Sequence, residues 1–120
     1  DGKQLPKKMG ITTDEFKDDF KQMTQAVHDA GGKIAIQLVH AGGQTNSKAA
    51  GKTPVAPSGI KVDQFPEQPQ ELSVSDINDI TKAFAKAAKR AKDWGFDGVQ
   101  IHGAHGYLIN QFLSSATNQR

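Results

Sequence analysis

Apolar residues recur at spacings of four, three, four and three from Phe16 through Phe20, Met23 and Val27 to Ala30, the period of a helix with one buried face. Thr12-Thr13-Asp14-Glu15 fits an S/T-x-x-E capping box, so the pattern predicts a helix over 13–30, which Gly31-Gly32 ends. Residues 33–40, Lys-Ile-Ala-Ile-Gln-Leu-Val-His, form a near-continuous apolar run rich in β-branched side chains. That is the signature of a strand covered on both faces. A second helix is predicted over 74–94: Ser73-Val74-Ser75-Asp76 signals its start, and Ile77, Ile80, Phe84, Ala87, Ala88, Ala91 and Trp94 make its stripe. Gly95 closes it, and a second strand follows over 97–102. Residues 41–72 between the two units show no sustained period and hold Gly42, Gly43, Gly51, Gly59 and four of the five prolines. A loop of that length in a compact domain is usually a lid, a binding loop or a disordered segment.

The order is thus helix, strand, long loop, helix, strand, then a loop over 103–120, with short helix-to-strand turns. It predicts a parallel α/β fold whose function lies at the C-terminal ends of the strands. Two parallel strands do not make a stable sheet, and both edges leave backbone groups unpaired. Further strands must come from a partner chain or from a larger protein. The absence of an initiating Met and the stop at Arg120 favour the larger protein.

Length and charge narrow the classes. The chain has 120 residues, enough for one small domain, and a formal net charge of +2, which gives no electrostatic case for nucleic acid or a membrane surface. It has no cysteine, so disulfides and thiolate metal sites are excluded and a reducing, cytoplasmic setting is the expectation. No apolar run approaches the ~20 residues that span a bilayer, and the polar start, Asp1 to Gly10, lacks the apolar stretch of a signal peptide.

Chemistry concentrates just after the second strand. His102, His105 and Tyr107 are all hydrogen-bond donors, separated by Gly103, Ala104 and Gly106, which let the backbone bend and a ligand approach. Two imidazoles aimed at one oxygen stabilise charge developing there, and a phenol can deliver a proton. The alternatives are histidines bonded to backbone carbonyls with Tyr107 capping a core, or a His-x-x-His metal pair, which lacks the third and fourth ligands zinc needs. Gln37 lies on the strand face opposite Ile36 and Leu38; it could satisfy a neighbouring strand or read the edge of a heterocycle. His40, at the end of that strand, is ambiguous in the same way. Gly51-Lys52-Thr53 is not a phosphate loop, because Asn46 stands where that motif needs glycine. His28 suits a helix C-terminus, and Lys82, Lys86, Lys89, Arg90 and Lys92 make a solvated helix face.

Three linked motifs carry a family resemblance: Gln37-Leu38-Val39-His40-Ala41-Gly42, Pro54-Val55-Ala56-Pro57-Ser58, and Gly95 to Leu108 continued by Asn110-Gln111-Phe112-Leu113-Ser114 and Asn118-Gln119-Arg120. From about Phe16 to Arg120 the chain resembles the old yellow enzyme type of NADH:flavin oxidoreductases. The resemblance implies a (β/α)8 TIM barrel, of which this chain is a part with about two helix–strand units and a long βα loop. It implies FMN as cofactor, NAD(P)H as reductant, and hydride transfer to an α,β-unsaturated carbonyl or related small molecule. By the same resemblance His102 and His105 hold the substrate oxygen, Tyr107 protonates the α-carbon, and Gln37 bonds the pyrimidine side of the flavin. Many relatives carry Arg where this chain has Gly43. At about half the ~250 residues of a typical barrel, the chain alone would hold an incomplete flavin pocket and turn nothing over. The alternative function is a non-enzymatic α/β fragment that self-associates through its open strand edges.

Overall fold

The computed structural model describes residues 2–3 and 9–120, so most of the polar start read over residues 1–10 lies outside the described residues. The element order is α1 (Lys17–Asp29), β1 (Ala35–Leu38), α2 (Ser47–Ala50), β2 (Val55–Ala56), β3 (Gln70–Glu71), α3 (Val74–Asp93), β4 (Gly98–Ile101) and α4 (Leu108–Phe112). The described residues form two compact units. A strand unit comprises 9–38 and 78–101, and a loop unit comprises 2–3, 39–77 and 102–120.

In the strand unit β1 and β4 pair in parallel, with Ala35, Ile36, Gln37 and Leu38 opposite Gly98, Val99, Gln100 and Ile101. The predicted parallel arrangement is therefore present. Both helices feeding the strands end in one and the same backbone pattern. Gly31 (φ 77°) donates to His28 O and Gly32 to Val27 O; Gly95 (φ 92°) donates to Lys92 O and Phe96 to Ala91 O. These are Schellman caps, in which a left-handed glycine lets the chain turn back and satisfy the last carbonyls. Gly95 has a second reason to lack a side chain: a Cβ there would stand 2.7 Å from Thr24 Oγ1.

The core of this unit is Phe20, Ala91, Trp94 and Phe96, with Ile11, Met23, Ile34 and Ile36 packed against it. Phe20 stacks on Trp94 at 5.4 Å between ring centroids and tilts against Phe96 at 5.8 Å. Buried Thr24 donates from Oγ1 to Trp94 O at 2.7 Å, tying α1 to the end of α3. At the helix-to-strand ends, Asp97 accepts from His28 Nε2 (2.7 Å) and Ile34 N–H (3.0 Å) and pairs with Lys33 (3.0 Å). His28 thus has a carboxylate partner that helix position alone did not indicate.

Three sequence expectations need correction. The first helix begins at Lys17 rather than 13: Phe16 occupies the N-cap with no side-chain cap, and the Asp14 carboxylate accepts instead from Arg90 Nε at 3.0 Å. The strand predicted over 33–40 is not covered on both faces, since Ala35 and Gln37 are exposed while Ile36 is half-buried and Leu38 buried. Two strands and the residues of one core cover a single face. The segment 41–72 is not structureless, because it holds α2 and the parallel pair Val55–Ala56 with Gln70–Glu71. Asn46 accepts from Ala49 N–H as the N-cap of α2, and Gly51 (φ 79°) is its C-cap, so Gly51-Lys52-Thr53 closes a helix rather than opening one. The start of α3 is as predicted: Ser73 Oγ accepts from Asp76 N–H, and Asp76 accepts from Ser73 N–H and Oγ. No helix among the described residues is long and apolar enough to cross a membrane.

Replacing Thr24 by Val leaves the Trp94 carbonyl buried without its donor, so it should cost about 1 to 3 kcal/mol in denaturant unfolding while Thr24→Ser costs less. Equal losses for the two variants would show that the hydroxyl bond contributes nothing. The bonds from His28, Ile34 and Lys33, in that order, hold the Asp97 carboxyl far below the usual carboxylate range. A depressed folded-state value gives stability that is complete above the unfolded value near 4 and is lost as pH falls through the folded one. Asp97→Asn should therefore flatten the acid side of the stability-against-pH curve, and an unchanged slope below pH ~4 would contradict this.

Candidate active site

The chain leaves β4 at Ile101 and enters the loop unit at His102, where Ala104 to Tyr107 make a tight turn closed by Tyr107 N–H to Ala104 O at 3.2 Å. His105 and Gly106 both have positive φ, 56° and 73°. Two positive angles in succession mark the mirror-image turn class, open to glycine and costing a non-glycine residue about 1 to 2 kcal/mol. The turn folds the three predicted site residues together. The His102 ring lies 4.8 Å from the Tyr107 ring and 5.5 Å from the His105 ring, both edge-on. His102 and Tyr107 are half-buried and His105 is exposed, so all three are within reach of a small molecule.

The backbone assigns one proton. His102 Nδ1 accepts from Ala104 N–H at 3.2 Å, so the neutral ring carries its hydrogen on Nε2 and can donate there. Tyr107 sits at the N-cap of α4, a short helix inside the segment 103–120 that the sequence predicts as a loop. Its residue Gln111 is 1% exposed and bonds to both neighbouring turns: Oε1 accepts from Gly43 N–H at 3.1 Å, and Nε2 donates to Ala41 O at 3.2 Å and Gly106 O at 2.6 Å. Gln44 Nε2 donates to His105 O at 2.8 Å, and Asn110 Oδ1 accepts from Gly106 N–H at 2.7 Å. Sequence reasoning gave no role to Gln111, Gln44 or Asn110. The available signal was the pair of adjacent amides, Asn110 and Gln111, in the otherwise apolar run Leu108-Ile109-Asn110-Gln111-Phe112-Leu113.

His40 proves to be a half-buried residue bonded into the backbone around it. Nδ1 accepts from Gly42 N–H at 3.1 Å, its carbonyl accepts from Leu108 N–H at 3.0 Å, and burial lowers its pKa to about 4. It is neutral near pH 7, with a buried Nε2 that has no hydrogen-bond partner among the described residues. Gly43, where many relatives have arginine, lies against the Phe65 ring: a Cβ at 43 would come within 2.6 Å of it. Two motifs far apart in sequence also meet in this unit. Arg120 Nη1 donates to Pro57 O at 2.9 Å and to Leu72 O, and Gln119 N–H donates to Ser58 Oγ at 2.9 Å.

Gln37 belongs to the strand unit, on the exposed face of β1, with Nε2 donating to Gln100 Oε1 at 2.7 Å. The neighbouring-strand reading is thus partly realised. One amide hydrogen and Oε1 are left over, a donor beside an acceptor, which fits the pyrimidine edge of a flavin with its N–H and carbonyl oxygens. Among the described residues no three of His, Cys, Asp or Glu gather as a metal-ligand set.

A family model described as the NADH:flavin oxidoreductase / NADH oxidase family matches residues 1–120. An NADH oxidase of Thermoanaerobacter brockii is 42% identical over 120 residues, covering 99% of this chain and 18% of that protein. An NADPH dehydrogenase of a Geobacillus species is 42% identical over 119 residues, covering 34% of its length. Among solved structures, morphinone reductase in complex with tetrahydroNAD superposes with a TM-score of 0.94 at 34% identity, over 99% of this chain and 38% of that one. The old yellow enzyme homologue from Zymomonas mobilis gives 0.89 at 39% identity, over 99% and 36%. The chain thus spans between about a fifth and two-fifths of the relatives it matches, and its fold is part of the old yellow enzyme (β/α)8 barrel. FMN is the cofactor this kinship implies, with a nicotinamide nucleotide as reductant. The 120 residues belong to the NADH:flavin oxidoreductase / NADH oxidase family.

Proposed function

We propose that this chain is the substrate-activating part of an FMN-dependent enzyme that uses NAD(P)H to reduce an α,β-unsaturated carbonyl or a related small molecule. The observation that carries the reading is the folding of His102, His105 and Tyr107 into one turn, with ring centroids 4.8 and 5.5 Å apart.

Bound FMN would supply the hydride. Gln37 would hold its pyrimidine edge through the acceptor and the hydrogen that Gln100 leaves unspent. The protein's own part is electrostatic and protonic. His102, protonated on Nε2, and His105 donate to the substrate's carbonyl oxygen and stabilise the negative charge that accumulates there as the β-carbon is reduced. Tyr107 transfers its phenolic proton to the α-carbon and regains one from solvent. His40, half-buried and neutral near pH 7, is given no role in proton transfer. The partner is a small molecule; nothing in the charge distribution calls for nucleic acid or a membrane surface.

A flavin absorbance spectrum of the intact enzyme, followed by enone titration of its reduced form, tests the reading. Reoxidation should be stoichiometric, and an intact enzyme without bound flavin refutes the proposal. Tyr107→Phe should slow enone reduction about 10²- to 10⁴-fold with flavin content unchanged. His102→Ala removes one donor from the developing charge and should slow it by about 10²- to 10³-fold. Rates within twofold of the parent enzyme would remove either residue from the mechanism.

The 120 residues on their own should oxidise no NADH, because a barrel of this kind needs ~250 residues to close. Stoichiometric FMN and turnover on this chain alone would overturn that expectation. Val99 and Ile101 of β4 are 37% and 49% exposed, which favours self-association as the behaviour of the isolated chain. Light scattering should find oligomers, and a stable monomer would count against it.

A further inference from the structure

His105 is the most exposed member of the catalytic trio and the one whose backbone is strained, so something must hold its turn in place. We propose that Gln111, assisted by Gln44, is a positioning residue: its buried amide fixes the His105–Gly106 turn against the Ala41–Gly43 turn and so sets where the His105 imidazole stands relative to His102 and Tyr107. This inference rests on the reading that His105 holds the reacting oxygen.

The bonding is specific to an amide. Gln111 uses its single carbonyl oxygen on Gly43 N–H and its Nε2 hydrogens on Ala41 O and Gly106 O, spending donors and acceptor together. A carboxylate would place negative charge against two carbonyl oxygens, and an aliphatic chain of the same length would remove the acceptor of Gly43 N–H and the amide donor to Gly106 O, leaving Ala41 O only its bond from Gln44 N–H. The backbone has been shaped around this side chain, since a Cβ on Gly42 (φ 61°) would fall 2.3 Å from Gln111 Oε1. From the other side Gln44 holds the His105 carbonyl itself, and a Cβ on Gly106 would come within 2.2 Å of its Nε2. Two amides therefore bond to the carbonyls of His105 and Gly106, the two residues with left-handed backbone. A peptide plane held by its carbonyl cannot rotate, and rotation of these planes is the motion that would swing the imidazole away.

Thr117 provides the control for ordinary loss of packing. Its Oγ1 donates to Gln111 O at 2.8 Å and Ser114 O at 3.3 Å and it is 8% exposed, so its hydroxyl bonds go elsewhere than to the turn. In the intact flavoenzyme, Gln111→Met should lower kcat/KM for an enone about tenfold or more, because small misplacements of a reacting group are costly, whereas Thr117→Val stays within about twofold. In protein labelled at histidine ¹³Cε1, the His105 resonance, assigned by its disappearance in His105→Gln, should shift in Gln111→Met and stay in place in Thr117→Val. Equal activity losses in the two variants, or an unmoved His105 resonance in Gln111→Met, overturn the proposal. Should Gln111→Met fail to fold, Gln44→Met removes the bond to the His105 carbonyl from a half-buried site and should move the same resonance in the same way. A His105 signal unchanged there refutes the proposal. If the parent enzyme reduces no enone, the proposed function fails, while the histidine resonance still decides the role of Gln111.

Discussion

The parallel register of β1 and β4 is the constraint on which the arrangement depends. Parallel strands cannot be joined by a tight turn, so the chain must return to the start of the sheet before it can form the second strand. Here α3 makes that return, and its length, cap and stripe follow from the task. Because Gln37 pairs with Gln100 and Leu38 with Ile101, the chain leaves both strands at the same end. The segments that come next, Val39–Gly43 and His102–Tyr107, hold His40 and the predicted site residues His102, His105 and Tyr107. Within the loop unit they are joined by the bond from Leu108 N–H to His40 O and by the amide of Gln111.

The two ends of the strands do different work. At the helix-to-strand end the contacts are stabilising: two Schellman caps, the aromatic cluster around Phe20, and an aspartate with three partners. At the other end the backbone tolerates strain, the donors are accessible, and a histidine sits in a left-handed conformation. Strain of this sort persists only where surrounding bonds over-determine it, and here those bonds come from the amides of Gln44, Asn110 and Gln111.

The sequence revealed elements whose signals are local. Ser73 and Asp76 cap α3 as their spacing indicates, and Gly31 and Gly95 end the helices where a left-handed residue was expected, because each motif closes within a few residues. Thr12 to Glu15 looked equally like a cap and is not one, since Asp14 is paired with Arg90, a partner 76 positions away that no local pattern reveals. The trio His102, His105 and Tyr107 was readable because one turn holds it. Gln111 was not, because its significance comes from Ala41 and Gly43, which reach it through tertiary folding. The exposed face of β1 had the composition of a buried strand, and composition reports the environment of a whole barrel rather than of the part present.

Gly43 and Phe65 illustrate a consequence for how such a chain can change. The ring of Phe65 lies where the first carbon of any side chain at position 43 would stand. An arginine introduced at 43 while the ring remains would meet a collision, whereas a smaller residue introduced first at 65 would merely open a gap. The two positions are therefore coupled: a side chain at 43 requires the buried Phe65 ring to shift or to be replaced by something smaller.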